Sequence, residues 1–347
     1  MLIPMKKIVI QKPGSYDQLR IETHPDPHPG PGEVLIDVSA IGVNYADCII
    51  RMGLYASAKE LKGYPITPGF EAAGKIAELG SGVTGLEIGQ SVMALTLFDG
   101  YSSKLVLAAE KTFPIPEGIS EAQAAGFPTV FLTAWFALCE QARSGKGDAV
   151  LIHSAAGGVG SALCQLAAMR GCDVVGIVGG PHKVSVASQA GASVVIDKSS
   201  RQLWPEAEKA APKGYQAIFD ANGVSTLGQS YEHLAPMGRL VIYGFHSMLP
   251  RTGGKPNWLK LARDWLRTPR FNPLRMTQEN RSVMACNLSF LGENADYLRQ
   301  GMLELLGWLE EGKIRPAPVT EYAFEDVASA HKDIESGQTT GKLILRV

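Results

Sequence analysis

The chain has 347 residues, of which 45% are hydrophobic and 19% charged, and its formal net charge is −1. This length predicts two domains, and the balanced charge gives no reason to expect nucleic acid as a partner. No run of 18 uncharged apolar residues occurs, so we expect no membrane-spanning helix. The first residues lack a secretory pattern, and five scattered cysteines without a Cys-x-x-Cys pair indicate unpaired thiols in the cytoplasm.

The chain up to about residue 127 is typical of a β-rich domain. Short apolar runs, among them residues 33–39 and 75–79, alternate with turns rich in glycine and proline. This spacing predicts many short strands in a barrel-like arrangement.

Residues 42–55 carry polar side chains in an otherwise apolar setting. Asn44, Asp47 and Arg51 are three and four positions apart, so they share one face if the segment is helical. Tyr55 follows shortly after. Two interpretations stay open: the polar residues line a catalytic pocket, or Asn44 is a helix N-cap and Asp47 pairs with Arg51 along the helix.

A glycine turn between a strand and a helix is the strongest indication of function. Residues 149–153 predict a buried strand, residues 154–160 a turn, and residues 159–169 a helix. Glycines let the backbone approach a pyrophosphate, and the free N–H groups of a helix N-terminus bind it. The motif is imperfect, because alanine replaces the first glycine. We predict dinucleotide binding by Ala156, Gly157, Gly158 and Val159.

The next strand, residues 173–178, predicts the type of nucleotide. A site that prefers NADH has an acidic residue at the end of this strand, to hold the ribose hydroxyls. No Asp or Glu occurs from residue 174 to 196, and Gly179 and Lys183 follow the strand. Glycine leaves room for an extra phosphate and lysine can pair with it, so the sequence favours NADPH. Lys183 as an ordinary solvated lysine is the alternative.

The rest of the middle region alternates strands and helices, as a parallel sheet requires. We expect strands at residues 193–196, 217–220 and 239–243, and a connecting helix at 127–141. Asn222 follows the strand at 217–220, at the edge where ligands bind in such sheets. Tyr243, Gly244 and Phe245 lie at the end of the strand at 239–243 and are further candidates for cofactor contacts.

Several motifs together resemble the medium-chain dehydrogenase/reductase superfamily, and within it the zinc-free quinone oxidoreductase branch. A further stretch is similar to the vesicle amine transport protein-like subgroup. The superfamily motifs, in the expected order, are Gly42–Asn44, Pro68–Glu71, Ala155–Gly160 and Gly341–Lys342, and the subgroup stretch is Leu234–Gly244. The resemblance implies a β-rich, GroES-like catalytic domain joined to a Rossmann domain, and a homodimer. It also implies that Thr133, Lys198 and Lys342 lie near the cofactor, and we count Asn44 among the cofactor contacts. Lys198 as a plain surface lysine is the alternative.

The resemblance also implies that no catalytic zinc is bound. The zinc alcohol dehydrogenases have a cysteine ligand where this chain has Asn44, and a histidine ligand where it has Phe70. Asparagine is a poor zinc ligand and phenylalanine is none.

Residues 251–281 form a basic insert with eight Lys and Arg residues against two acids. Residues at helical spacing are Trp258, Leu261, Ala262, Trp265 and Leu266. A basic amphipathic helix can rest on a membrane surface or bind an acidic partner. The interpretation that we favour is a lid packed over the cleft or against a second subunit. After the insert we expect a strand at 287–291, a helix at 298–312 and a strand at 342–347.

The sequence therefore predicts an α/β protein in which residues 1–127 with 285–347 form the catalytic domain. Residues 128–284 form the Rossmann domain, which includes the basic insert at about 250–282. We expect NADPH-dependent hydride transfer to a quinone or an α,β-unsaturated carbonyl, with Asn44, Tyr55 and Asp47 as catalytic candidates. The alternative is an NADPH-binding interaction or lipid-surface protein with little turnover.

Overall fold

The structure, a computed structural model, describes residues 4–291 and 294–347. The strands are β1 Met5–Ile10, β2 Leu19–His24, β3 Glu33–Val43, β4 Glu71–Leu79, β5 Ser91–Leu95, β6 Lys104–Ala108, β7 Thr112–Pro114, β8 Ala149–Ile152, β9 Asp173–Val178, β10 Val194–Asp197, β11 Tyr215–Asp220, β12 Leu234–Ile242, β13 Ser282–Ala285, β14 Val319–Ala323 and β15 Lys342–Arg346. The helices are α1 Tyr45–Arg51, α2 Ala56–Leu61, α3 Glu121–Ala125, α4 Pro128–Trp135, α5 Gly158–Met169, α6 Val184–Gln189, α7 Leu203–Ala210, α8 Leu227–Glu232, α9 Trp258–Arg267, α10 Pro273–Glu279, α11 Ala295–Glu310 and α12 Val327–Ser336.

The first large sheet has the strand order β14-β15-β3-β4-β5-β7, and β6 also pairs with β3. Strand β3 is central because its long apolar run is buried along most of its length. It pairs antiparallel with β4, β6 and β15. The first sheet thus joins residues 33–114 to residues 319–346, and β1 and β2 form a separate hairpin.

The second sheet is parallel throughout, with the strand order β10-β9-β8-β11-β12-β13. Its strands are continuous Val, Ile, Leu and Ala runs, as expected when helices cover both faces of a sheet. The order reverses between β8 and β11, which is the Rossmann switch point where nucleotides bind. The α/β class with a Rossmann sheet is confirmed.

Two predicted elements were wrong in detail. The strand expected at 287–291 lies earlier, at Ser282–Ala285, and Leu288–Phe290 is a single helical turn. The Asn287 side chain accepts a hydrogen bond from the Ser289 N–H, 3.1 Å away, and this local bond holds the backbone in a turn. The connecting helix stops being α-helical at Trp135 and continues as a π-helix to Ala142.

The structure bears on one half of the expectation for the basic insert, a lid packed over the cleft; packing against a second subunit stays a prediction. In α9 the side chains of Trp258, Leu259, Trp265 and Leu266 are 66–86% exposed, so the apolar face of this helix covers no part of the chain that the structure describes.

All five cysteines are free thiols, as predicted. Within the described residues, no helix is both long enough and apolar enough to cross a bilayer.

Candidate functional site

The glycine turn forms the N-terminus of α5. Gly157 is the N-cap, and the first intrahelical bond runs from the Ser161 N–H to the Gly157 carbonyl, 2.8 Å away. The amides of residues 158–160 therefore have no partner within the helix, as an anion site requires. A Cβ added at Gly157 would meet only the Ser154 carbonyl at 3.3 Å, so the space above the turn is open.

Gly160 has a different role from Gly157. A Cβ at Gly160 would lie 2.1 Å from the Ser154 carbonyl oxygen, closer than any side chain can approach. This glycine is needed for the close packing of α5 on the turn. Val159 and Ala156 lie on the same turn, and the Ala156 carbonyl accepts the Gly341 N–H at 3.0 Å. That bond attaches the start of β15 to the glycine turn.

Two predicted cofactor residues have buried polar atoms without a partner in the described structure. They are Asn222 Nδ2 and the Tyr243 hydroxyl, at the carboxyl ends of β11 and β12. A buried polar atom without a hydrogen bond costs free energy, so these atoms fit a ligand that would satisfy them. The switch point thus combines a glycine turn with unsatisfied polar groups, which is what a dinucleotide needs.

Lys183 and Lys198 lie beside the end of β9. The Lys183 ammonium donates a hydrogen bond to the Gly337 carbonyl, and the Lys198 side chain approaches the position of a Gly179 Cβ to 3.8 Å. Burial lowers the pKa of both lysines, and the positive charge of Arg251 lowers it further in each. Positive charges close enough to repel each other favour an anion between them. Sequence reasoning missed Arg251, whose only signal was the charge of the insert.

A second cluster surrounds Lys342, at the start of β15. Its ammonium group lies 2.6 Å from Glu71 Oε1, 2.7 Å from Asn44 Oδ1 and 2.9 Å from the Val43 carbonyl. Glu71 Oε2 accepts the Thr129 N–H at 2.8 Å, at the start of α4. The structure therefore brings together Asn44 and Lys342, two predicted site residues, and adds Glu71, which the sequence analysis named only as part of the Pro68–Glu71 motif.

Asn44 occupies the N-cap position of α1, but its side chain does not cap the helix. Asp47 Oδ2 accepts the Asn44 N–H at 2.8 Å, which is one half of a capping box. The Asn44 amide instead donates to Glu71 Oε1 at 2.9 Å and accepts from Lys342. The N-cap interpretation thus describes the backbone of Asn44, while its side chain belongs to the cluster around Lys342.

Asp47 is fully buried, which raises its pKa, and the positive charge of Lys342 lowers it. It accepts hydrogen bonds from the Gly69 N–H at 3.1 Å and the Tyr101 hydroxyl at 3.0 Å. Burial raises its pKa to about 7, against the opposing effect of these donors. Its contacts are those of a residue that holds the backbone of residues 44 and 69 in place.

Arg51 pairs with Glu335 on α12, at 2.7 Å, and not with Asp47 as the helical spacing suggested. It also donates to His331 Nδ1 at 3.3 Å. Cys48, His331 and Glu335 lie close enough together to hold a metal ion. The Arg51 guanidinium already satisfies two of these groups with a positive charge, which disfavours a cation there.

Tyr55 lies on the other side of the cleft. Its hydroxyl is 3.2 Å from Asn287 Oδ1 and 3.3 Å from Ser289 Oγ, and its ring makes an edge contact with Phe70, with ring centroids 5.9 Å apart. Burial raises its pKa. The structure does not bring Tyr55 into hydrogen-bond contact with Asn44, and sequence reasoning missed both of its partners.

The remaining predicted residues have mixed surroundings. The Thr133 hydroxyl donates back to the Thr129 carbonyl at 2.7 Å, within its own helix. Gly244 packs against Ala221, because a Cβ there would lie 2.8 Å from the Ala221 carbonyl oxygen. Phe245 is 44% exposed at the end of β12. The cofactor assignments of these three residues stay predictions.

Two parts of the chain match known protein families. Residues 30–126 match the alcohol dehydrogenase GroES-like domain, and residues 190–345 match the zinc-binding dehydrogenase domain. The chain is 32% identical to the synaptic vesicle membrane protein VAT-1 homolog of Rattus norvegicus, over 99% of this chain and 84% of that protein. The human homolog is also 32% identical, over 98% and 86%.

Two solved structures are similar to this chain over nearly its whole length. The Escherichia coli quinone oxidoreductase complexed with NADPH has a TM-score of 0.84 and 28% identity, over 99% of this chain and all of that one. The CurK enoyl reductase has a TM-score of 0.85 and 25% identity, over 99% of both chains. The two-sheet fold and its nucleotide crevice define a medium-chain dehydrogenase/reductase. Within that superfamily, the chain belongs to the family of the VAT-1 homologues.

Proposed function

We propose that the protein is an NADPH-dependent reductase that transfers a hydride to a quinone or an α,β-unsaturated carbonyl without zinc. The observation that carries this proposal is an apolar pocket that meets the cleft at Phe70 and Thr129. Ser289, the partner of Tyr55, also lines it. Its apolar lining consists of Phe70, Leu95, Leu97, Phe113, Leu132, Leu288, Ala295 and Leu298.

Such a pocket suits a flat, apolar acceptor. Its wall is mainly apolar, and polar groups such as the Thr129 and Ser289 hydroxyls can orient one carbonyl oxygen. The other polar residues that line it are Thr96, Glu110, Lys111, Asp296 and Arg299. Solved structures that resemble this chain include a quinone oxidoreductase and an enoyl reductase, whose names describe acceptors of this kind. The acceptor would lie beside residues of β5, α4 and α11.

NADPH, when bound, supplies the hydride; the residues that would hold it are the glycine turn, Asn222, Tyr243, Lys183 and Lys198. As the acceptor is reduced, negative charge develops on its oxygen, and a positioned donor stabilises this charge. Tyr55 is the donor that we assign on the pocket side. Asn44 and Lys342 form the polar wall on the nucleotide side, and Glu71 fixes both.

Asp47 acts through other residues in this proposal. Because it accepts the Asn44 N–H, it fixes the backbone from which the Asn44 side chain reaches Lys342. It is a positioning residue rather than an acid or a base.

A second candidate function is nucleotide binding with little turnover. One observation favours it: the Tyr55 hydroxyl already has two acceptor atoms within 3.3 Å, so its single proton is engaged.

One experiment separates the two functions. NADPH consumption would be measured with a panel of benzoquinones and enones, in parallel with NADPH binding by fluorescence. We expect steady turnover with at least one acceptor, and the same rate after treatment with a chelator. Tight NADPH binding without turnover across the panel would establish the second function, and loss of activity on chelation would contradict a zinc-free mechanism.

A further inference from the structure

Thr129, at the start of α4, has a buried hydroxyl group in the wall of the apolar pocket. Its Oγ1 has no hydrogen-bond partner among the residues that the structure describes. The backbone around it is fixed, because the Thr129 N–H donates to Glu71 Oε2 at 2.8 Å. An unsatisfied buried hydroxyl costs free energy, so this group is placed to bind a ligand that enters the pocket.

The other hydroxyl groups at the pocket already have partners. Thr96 Oγ1 donates to a backbone carbonyl 2.9 Å away, and Ser289 Oγ donates to Asn287 Oδ1 at 2.7 Å. The Tyr55 hydroxyl lies within 3.3 Å of both Asn287 and Ser289. Since each hydroxyl has one proton to donate, Thr129 is the one among these described groups that can donate without breaking an existing bond.

Thr129 lies between the pocket and the nucleotide crevice. The next residue, Val130, packs on the glycine turn, since a Cβ added at Gly158 would lie 2.9 Å from Val130 Cγ1. Glu71, which accepts the Thr129 N–H, also accepts from Lys342 at 2.6 Å. A carbonyl oxygen bound to Thr129 Oγ1 would therefore lie close to the residues that would hold NADPH.

The pocket extends from Thr129 across three neighbouring strands. Glu71, at the start of β4, contacts Thr129 and pairs with Leu95 of β5. Strand β5 pairs in turn with β7, where Phe113 lines the pocket. Neighbouring strands are about 4.8 Å apart, so the pocket reaches roughly 10 Å from the Thr129 side to β7. Its shape suits a long ligand that is bound at one end.

The wall changes in character along this length. Beside Thr129 and β5 the apolar lining includes Leu95, Leu97 and Leu132. Charged residues follow at the β7 end: Lys111 precedes β7, and the Arg299 guanidinium lies 5.3 Å from the centre of an aromatic ring on that strand. A second oxygen over the leucines would lose the hydrogen bonds that water gives it, whereas an apolar tail would fill this part of the pocket.

We propose that the Thr129 hydroxyl binds the carbonyl oxygen of the acceptor, and that the acceptor is an α,β-unsaturated ketone whose apolar tail extends along the pocket to β7. This inference rests on the proposed reductase function and names its acceptor class. A carbonyl oxygen has two lone pairs, so Thr129 can donate to it beside Tyr55.

The free hydroxyl has a definite part in the reaction. Reduction adds the hydride that NADPH supplies to the β-carbon of the ketone, and the electrons of the carbon–carbon double bond move toward the oxygen. The Thr129 O–H stabilises the negative charge that develops there. A proton from water at the α-carbon then completes the saturated ketone.

Steady-state kinetics test the assignment, with unsaturated ketones that share one conjugated group and differ in tail length. We expect kcat/KM to rise with the length of the tail. Thr129→Val keeps the shape of the side chain but removes the hydroxyl, and should lower kcat/KM for the long-tailed ketone by roughly 10- to 1,000-fold. Thr129→Ser should recover most of this loss. Calorimetry should show unchanged NADPH affinity in Thr129→Val, and its melting temperature should not fall, because valine replaces an unsatisfied polar group.

The matched control is Thr112→Val. Thr112, on β7, also has a buried hydroxyl without a partner among the described residues, but it is not part of the pocket lining. Its kinetics should equal those of the parent.

Three results would overturn the assignment and leave the proposed function standing: parent-like kcat/KM in Thr129→Val, equal kcat/KM for short and long tails, or turnover of benzoquinone without turnover of any unsaturated ketone. A loss of NADPH affinity in Thr129→Val that matches the loss of kcat/KM would also overturn it, by assigning the hydroxyl to the nucleotide. No turnover with any acceptor would overturn both the assignment and the proposed function.

Discussion

Lys183 follows β9 with a hydrogen bond to the Gly337 carbonyl and a pKa lowered by burial and by Arg251. If it pairs with the 2′-phosphate, Lys183→Ala should weaken NADPH binding by about 1–3 kcal/mol, because a charge-assisted hydrogen bond is lost. NADH binding should barely change, since NADH lacks that phosphate. Titration calorimetry with both nucleotides checks this. Lys209→Ala, an exposed lysine of α7, is the control, and equal losses for both nucleotides would refute the assignment.

Removal of the Tyr55 hydroxyl tests the proposed chemistry. If its hydroxyl stabilises charge mainly in the transition state, Tyr55→Phe should lower kcat and kcat/KM together, by roughly 10- to 1,000-fold. NADPH affinity should stay unchanged. Steady-state kinetics measure this, with Tyr322→Phe as a control that removes an exposed hydroxyl bound to Asp333. A rise in KM alone would make Tyr55 part of the pocket wall.

Sequence reasoning identified several residues of the site but not the residues that they contact. Asn44 could be chosen because its position resembles that of a zinc ligand, and Lys342 because of its Gly-Lys motif. Their contact, however, joins positions 298 apart in the chain. Likewise Tyr55 bonds to residues 232 and 234 positions away. Local spacing predicts neighbours on one helix, as with Asp47 and Arg51, but tertiary contacts can replace them.

At the scale of elements, α1 and α12 are joined by the fully buried pair Arg51–Glu335. Arg51 also donates to the Gly254 carbonyl at 3.1 Å, so the insert is attached at the same point. Arg51→Met should lower the free energy of unfolding by about 3–5 kcal/mol, because the buried Glu335 carboxylate loses its countercharge.

The double variant Arg51→Met with Glu335→Leu should recover part of this loss, since no charge is left unpaired. Urea denaturation measures both. Lys6→Ala breaks an exposed pair with Glu325 and should cost less than about 1 kcal/mol. Equal stability of the single and double variants would show that other Arg51 contacts dominate.

The elements that the sequence predicted well are those with a strong period and clear ends. The run before the glycine turn became β8, and the small-residue helix after it became α5. The error at residues 287–291 arose because an apolar run resembles a strand, whereas the Asn287 side chain stabilises a turn. In α9 the amphipathic pattern predicted the helix, but not which face is outward, since this depends on Lys260 and Asp264.

For the whole molecule, buried histidines make stability depend on pH. Burial and the Arg51 charge hold the pKa of His331 well below its usual 6.5, and burial also lowers that of His153. Below pH 6.5 the unfolded chain therefore binds more protons than the native chain does. The stability that comes from these neutral histidines is present above that pH and is lost as the pH falls. Asp47, whose pKa is raised to about 7, acts in the opposite direction.

His331→Gln isolates the histidine contribution. Between pH 6.5 and 5, its free energy of unfolding should depend on pH less steeply than that of the parent, by up to about 1.4 kcal/mol per pH unit. Urea denaturation at several pH values measures the slope. His28→Gln is the control, because His28 is exposed and its pKa is raised by Glu78. An unchanged slope in His331→Gln would mean that His331 is protonated in the native state.

The pairing of β3 with β15 has a consequence for synthesis. Strand β3 leaves the ribosome early, yet the strand that completes its other edge is made much later, since Val43 and Lys342 are 299 positions apart. During that interval β4 and β6 can pair with most of β3, but its edge at residues 40–43 stays unpaired. The second sheet can form meanwhile from strands close together in sequence. Chaperone capture of translation intermediates should therefore concentrate on β3 and end only when β15 has emerged.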